Sequence, residues 1–343
     1  MRYRYLSRTL AFTLAAVGLG LSTVPGQADA AHTSCQDVNV PVSLLGTSQT
    51  LYGKLCAPDG ARTVQVLVPG ASYNSSYWDY PYTPEVRSYR LAMNKAGYAT
   101  FTLDRLGTGR SSKPASALLT SFSQATVVHQ AIQALRTGNK VPSAFSRVIL
   151  GGHSVGSAIT MIEAGTYHDV DGVLITGLTH GINEVGAVPI LSSLIPAALD
   201  PKFAAHGLDL GYLTTAAGTR YDSFHKPGLP AAGVDNADEA TKDQFAPGEV
   251  LDTVLLGSVL PYSKLITVPV MLVMGKDPAF CGFPAPDCST ADTLRAAEAP
   301  DYAPAAKLQT FVVRDYGHAL NLAPDAPWYH LAVVNWADSM VGH

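Results

Sequence analysis

One stretch of seventeen residues constrains this chain more than any other. An apolar run, Arg147-Val148-Ile149-Leu150-Gly151, meets the pentapeptide Gly152-His153-Ser154-Val155-Gly156, and a helix-compatible stretch, Ser157 to Glu163, follows. Strand, sharp turn and helix form the context in which a G-x-S-x-G sequence holds a serine clear of the backbone. The glycines allow the tight turn, because a Cβ there would meet the neighbouring strand or helix. The helix that follows aims its N-terminal amides at the serine, where negative charge develops during acyl transfer.

The rest of the chain repeats this alternation. Short apolar runs at 38–45, 49–55, 64–68, 98–103, 148–151, 172–176, 268–274 and 308–313 read as strands. Helical patterns cover 84–96, 122–137, 154–164, 290–299 and 328–340. The expected fold class is therefore α/β: a mostly parallel eight-stranded sheet with helices on both faces. Residues 177–267 break the rhythm, with scattered Gly and Pro and no comparable strand. A structureless loop of that length is improbable, so they read as an inserted, largely helical cap. The core would comprise 31–176 and 268–343.

The first thirty residues read as a secretory signal peptide. Arg2, Arg4 and Arg8 precede the apolar run Leu10 to Leu21, and Ala28-Asp29-Ala30 supplies an A-x-A site, with cleavage expected near Ala30. The apolar run is short for a stable membrane anchor. Export agrees with four cysteines, for which local pairing, Cys35–Cys56 and Cys281–Cys288, is the expected arrangement. No C-x-x-C motif or nearby histidine cluster suggests zinc. Net charge is −4 with no basic run, which argues against nucleic acid as a partner.

A serine nucleophile needs a base, and the base needs an orienting carboxylate. His318, in Asp315-Tyr316-Gly317-His318-Ala319, follows the last strand. Asp277 follows Val270 to Lys276. Both fall at carboxyl ends of strands, where sites in open α/β sheets collect. Asp287, inside the Cys281–Cys288 loop, and Asp315 are the alternative carboxylates.

The order Ser154, Asp277, His318 resembles that of the α/β-hydrolase fold superfamily. That resemblance implies an oxyanion hole built from the amide of Val155 and, in Val68-Pro69-Gly70-Ala71-Ser72-Tyr73, the amide of Ala71; Pro69 stands where the family has a histidine. Asp104-Arg105-Leu106-Gly107-Thr108-Gly109-Arg110-Ser111 is similar to a glycine-rich turn of the family and is assigned a structural role. Gly275-Lys276-Asp277 is one residue shorter than the family's Gly-x-x-Asp. Relatives that hydrolyse epoxides or haloalkanes carry a carboxylate where Ser154 stands.

The resemblance implies a secreted serine hydrolase of carboxylic esters that acts without metal or organic cofactor on a small apolar substrate. Amide, peptide or lactone hydrolysis, or acyl transfer, would use the same three residues. A non-catalytic binding protein of the same fold is the remaining alternative. Leu191, Leu194, Ile195, Leu199 and Phe203 either line an acyl pocket or pack the cap. Tyr73, Tyr77, Trp78, Tyr80 and Tyr82 either cradle a substrate or pack a surface loop.

Overall fold

Two long antiparallel strands, β1 (Thr33–Leu44) and β2 (Thr47–Pro58), open the structure, a computed structural model that describes residues 32–258 and 262–343. The proposed signal peptide lies outside the described residues. The hairpin turns at Leu45 and Gly46, both with positive φ (48° and 82°), as a two-residue hairpin loop requires. Cys35 and Cys56 face each other across the hairpin and form a disulfide. A second disulfide joins Cys281 and Cys288. Both are the local pairings expected.

The chain then alternates: β3 (Thr63–Val68), α1 (Pro84–Arg87), α2 (Tyr89–Lys95), β4 (Ala99–Leu103), α3 (Ser121–Thr137), β5 (Arg147–His153), α4 (Val155–Tyr167) and β6 (Gly172–Thr176). Between β6 and the next sheet strand come α5 (Glu184–Ser192), a small antiparallel ribbon of β7 (Leu194–Pro196) and β8 (Leu213–Thr215), α6 (Ala232–Thr241) and α7 (Pro247–Ser258). The strand β9 (Val270–Met274), α8 (Ala291–Glu298), β10 (Gln309–Val312) and α9 (Ala326–Met340) complete the chain. The main sheet runs β1-β2-β4-β3-β5-β6-β9-β10, and every pairing from β4 to β10 is parallel. All eight expected sheet strands are present. The expected helix 84–96 is instead two, because Ser88 leaves helical geometry and caps α2 by accepting from the Leu91 amide.

Every residue of β3, β4, β6 and β9 is buried. A strand covered on both faces is largely apolar, and a polar side chain inside it needs an internal partner, as Gln65 Oε1 has in accepting from the Tyr89 hydroxyl at 2.6 Å. Alternate side chains enter opposite layers. Val64, Val66 and Val68 pack with Val128 and Ile132 of α3 and with Ile159 of α4. Leu67 and Ile149 pack with Met93 of α2 and with Tyr329 and Trp336 of α9. Helix α3 starts with a reciprocal Thr120–Ser123 capping box and stops at Gly138 in the left-handed region, φ 69°. Truncating a core residue such as Leu150 to Ala would cost about 2–5 kcal/mol. No described helix is long and apolar enough to cross a membrane.

Candidate active site

Ser154 occupies the single residue between β5 and α4, with φ 54° and ψ −120°. This is strained backbone for a residue with a Cβ, and it persists only where surrounding contacts enforce it. Its amide donates to the Thr176 carbonyl at 2.8 Å, and its carbonyl accepts from Ser157 at 2.8 Å. The flanking glycines are steric necessities. A Cβ at Gly152 would stand 2.2 Å from the Gly156 carbonyl oxygen, and one at Gly156 would stand 2.3 Å from the Val68 oxygen. The turn thus holds the Ser154 side chain at a cavity, where Ser154 Oγ has no hydrogen-bond partner among the described residues.

His318 lines the same cavity. Its Nδ1 lies 2.5 Å from Asp277 Oδ2, while Asp277 Oδ1 accepts from the Ala279 amide at 2.9 Å. Both side chains are buried. Two close backbone approaches set this geometry. A Cβ at Gly317 would come within 2.0 Å of the Lys226 carbonyl oxygen, and a Cβ at Gly275 within 2.2 Å of the Gly317 oxygen. The short Gly275-Lys276-Asp277 turn therefore lies against the His318 loop, and the Lys276 amide donates to the Tyr316 carbonyl at 2.8 Å. Neither substitute carboxylate reaches the imidazole. Asp287 is exposed and accepts from Ser289, and Asp315 is also exposed.

The imidazole of His318 is packed by Phe280, with ring centroids 5.5 Å apart, and by Phe224 at 5.7 Å. His153 stands 4.8 Å away and stacks on Tyr77 at 4.1 Å. Burial, reinforced by His318, pushes the His153 imidazole well below its usual range, so it is neutral. Sequence reasoning passed over His153 because the position before the serine carries no residue requirement in the motif.

Ala71 and Val155 also line the cavity, and neither amide donates to an acceptor among the described residues. The turn that carries Ala71 is clamped by two buried arginines. Arg105 Nη2 donates to the Gly70 carbonyl at 3.0 Å, and its guanidinium pairs with Glu249. Arg220 Nη1 donates to Ser72 Oγ at 3.0 Å, while Nε and Nη2 grip Asp238 at 2.8 and 2.9 Å. Ser72 itself has φ 56°, so the turn is held in a conformation it would not adopt unaided. His225 Nε2 reaches the same Asp238 at 2.9 Å. Burial alone would raise the Asp238 carboxyl, but Arg220 and His225 outweigh it and bring it down to about 2. The segment around His225 also holds the His318 loop: Gly317 N–H donates to the His225 carbonyl at 3.1 Å, and Ala319 N–H to the Phe224 carbonyl at 2.9 Å. Arg220 Nη1 also reaches Thr215 Oγ1 at 3.2 Å, five positions back, but the two partners that make the clamp, Asp238 and Ser72, lie 18 and 148 positions away and leave no local sequence signal.

The cavity wall is apolar. Ile190, Leu191, Leu194, Phe224 and Phe245 come from the segment between β6 and β9, and Phe280 comes from beyond it. Of the five apolar residues singled out in that segment, Leu191 and Leu194 line the cavity. Ile195 is half-buried in the ribbon and does not line the cavity, Leu199 is exposed, and Phe203 is buried in the core. The aromatic loop packs instead of lining: Tyr73, Tyr77, Trp78 and Tyr80 are buried, Tyr82 is exposed, and none faces the cavity. A free hydroxyl, an imidazole anchored by a carboxylate and two unpaired amides around one cavity are the parts that nucleophilic acyl transfer uses. The Asp104 to Ser111 turn is internally bonded, with the Asp104 carboxylate accepting from the Ser75 and Arg110 amides at 2.8 Å each.

The profile described as "Alpha/beta hydrolase family" matches residues 65–327. Comparison with curated proteins finds no match. Among solved structures, the chain is similar to the alpha/beta hydrolase GrgF from Penicillium sp. sh18, at 16% identity and TM-score 0.55, with 90% of this chain and 100% of that one covered. It is similar to Est1E from Butyrivibrio proteoclasticus, solved with ferulic acid bound, at 15% identity and TM-score 0.52, with coverage of 89% and 100%. A third is the Pyrococcus furiosus esterase PF2001, at 13% identity and TM-score 0.52, with coverage of 90% and 92%. At these identities the likeness concerns the fold.

Proposed function

The chain belongs to the alpha/beta hydrolase family, and from that premise we propose that it is a secreted serine hydrolase of carboxylic esters. Ser154 Oγ attacks the acyl carbon. His318 takes its proton and returns it to the departing alcohol, and water then releases the acid by the same route. Asp277 keeps Nδ1 protonated and the ring in place, which leaves Nε2 to act as the base. The amides of Ala71 and Val155 receive the oxyanion.

The observation that carries this reading is the convergence on one cavity of the strained Ser154 and the Asp277-anchored His318. Its apolar wall favours an apolar acyl or alcohol portion over a charged substrate. The ferulic acid bound by Est1E and the esterase activity named for the Pyrococcus protein lend support to an ester as the bond cleaved. Residues 177–267 act as the cap that sets substrate choice, because they supply most of the wall. Two disulfides agree with passage through an oxidising compartment, and on this reading residues 1–30 are removed on the way.

The test is a substrate panel: p-nitrophenyl esters of increasing acyl length, matched anilides, peptides and lactones. Turnover of esters at a kcat/KM well above that of the anilides supports the proposal. Turnover confined to anilides, peptides or lactones would replace it with that bond type.

A further inference from the structure

Helix α4 carries a second unusual group at its far end. Glu163 lies nine residues beyond Ser154, roughly 13 Å along the helix axis. It is fully buried, yet neither carboxylate oxygen has a hydrogen-bond partner among the described residues. A buried carboxylate normally accepts two or more hydrogen bonds, and an orphaned one calls for a proton, a water or an ion. Two other groups face it. His129 Nδ1, from α3, stands 3.5 Å from Glu163 Oε1 and 2.9 Å from Asp169 Oδ2, yet it is aligned with neither as a hydrogen bond. Asp169, just beyond α4, has its other oxygen, Oδ1, buried and unpaired as well. Among the described ion pairs neither carboxylate meets a lysine or arginine.

We infer that His129, Glu163 and Asp169 form a binding site for a first-row divalent cation of the zinc class. One ligand atom from each lies within 4.8 Å of the others. Ligands of a tetrahedral zinc ion stand about 3.3 Å apart, so small side-chain rotations close the set around an ion. One imidazole nitrogen with two carboxylates suits zinc, manganese or cobalt better than calcium or magnesium, which favour oxygen alone. Three protein ligands leave a fourth position for water.

The surroundings are those of a held ligand set. The Tyr167 ring stacks on His129 with centroids 3.8 Å apart, and Gln133 Nε2 donates to Asp169 Oδ2 at 2.5 Å. Arg136 Nε donates to the Asp169 carbonyl at 2.8 Å, which fixes the loop. Such outer contacts orient ligands in known metal sites. His129, Gln130 and Gln133 line a surface cleft that offers an entry path. None of the three ligands lines the Ser154 cavity. The ion would join α3 to the end of α4 as a structural clamp, independent of the proposed chemistry.

Zinc chloride alone is the probe, with tag-free protein stripped of metal. We expect one zinc per chain to survive gel filtration, with a rise in Tm on the order of 5 °C at saturating zinc. Calcium and magnesium should give no comparable rise. Glu163→Gln keeps the shape of the side chain as a neutral amide, and His129→Phe keeps the stack on Tyr167. Each should lose both the bound zinc and the Tm rise while ester turnover persists. Should either fail to fold, Asp169→Asn takes its place. Failure of the parent to retain zinc would overturn the inference. So would retention of zinc and its Tm rise by both variants, which would place the ion on other histidines. A rise with calcium but not with zinc would overturn the choice of ion.

Discussion

Arg220 donates through Nη1 to Ser72 Oγ at 3.0 Å, one residue beyond the Ala71 amide that lines the cavity. The guanidinium that makes this bond is bidentate to Asp238 and fully buried. A buried charge pair of this kind is valuable for the geometry it imposes and costly to break from one side.

Replacing Arg220 by Leu removes the only arginine that pairs with the buried Asp238 among the described residues and leaves it His225 alone. The expected loss of stability is about 3–5 kcal/mol by urea unfolding. Arg220→Lys keeps the charge but loses the two-pronged grip, so it should fold and still lower kcat, by roughly 10- to 100-fold, with a smaller change in KM. Equal kcat in the Lys variant and the parent would show that the clamp does not position the turn. Because the Asp238 carboxyl is depressed to about 2, its contribution is fully present above the unfolded value of about 3.9 and fades as pH falls toward 2.

Asp277→Asn should fold and lose up to about 10⁴-fold in turnover, because the amide favours the wrong imidazole tautomer. Asp287→Asn and Asp315→Asn should lose little, since neither side chain touches His318. Steady-state kinetics of the three variants on one ester decide the matter. A crippled Asp287→Asn beside a mild Asp277→Asn would move the carboxylate role into the disulfide loop.

The rate should rise with pH through a single limb near neutrality. An imidazole that accepts a proton must first be neutral, and imidazoles in water titrate at about 6.5. Of the two imidazoles beside the cavity, burial holds His153 neutral to well below that range, so the limb is not its own. His153→Gln should leave the limb where it is, and a limb that vanished in that variant would mean that His153, not His318, is the base.

Legibility from sequence followed the locality of each interaction. The buried strand Val270 to Met274 is a continuous apolar run whatever lies around it, and the edge strand β1 alternates buried and exposed residues; each pattern is local, so all eight sheet strands appeared. The break at Ser88 was missed because a serine inside a helix and a serine that caps the next one look alike in sequence. The ribbon β7–β8 has three residues per strand, too few for any period to show. The Arg220 clamp joins groups from three separate segments, and nothing near Arg220 in the chain announces it. The candidate site was better served, because Ser154, Asp277 and His318 each sit where a strand ends, and strand ends were readable. Whether aromatic residues line or pack could not be read from their spacing, and burial decided for packing.

Covalent labelling of Ser154 tests the central claim most directly. A fluorophosphonate should react with the parent protein, with the adduct mapped by peptide mass spectrometry to the residue between Gly152-His153 and Val155-Gly156. Ser154→Ala should melt like the parent, take up no label and lose on the order of 10⁴-fold or more in ester turnover. Label on a different serine, or undiminished turnover by the alanine variant, would contradict the account.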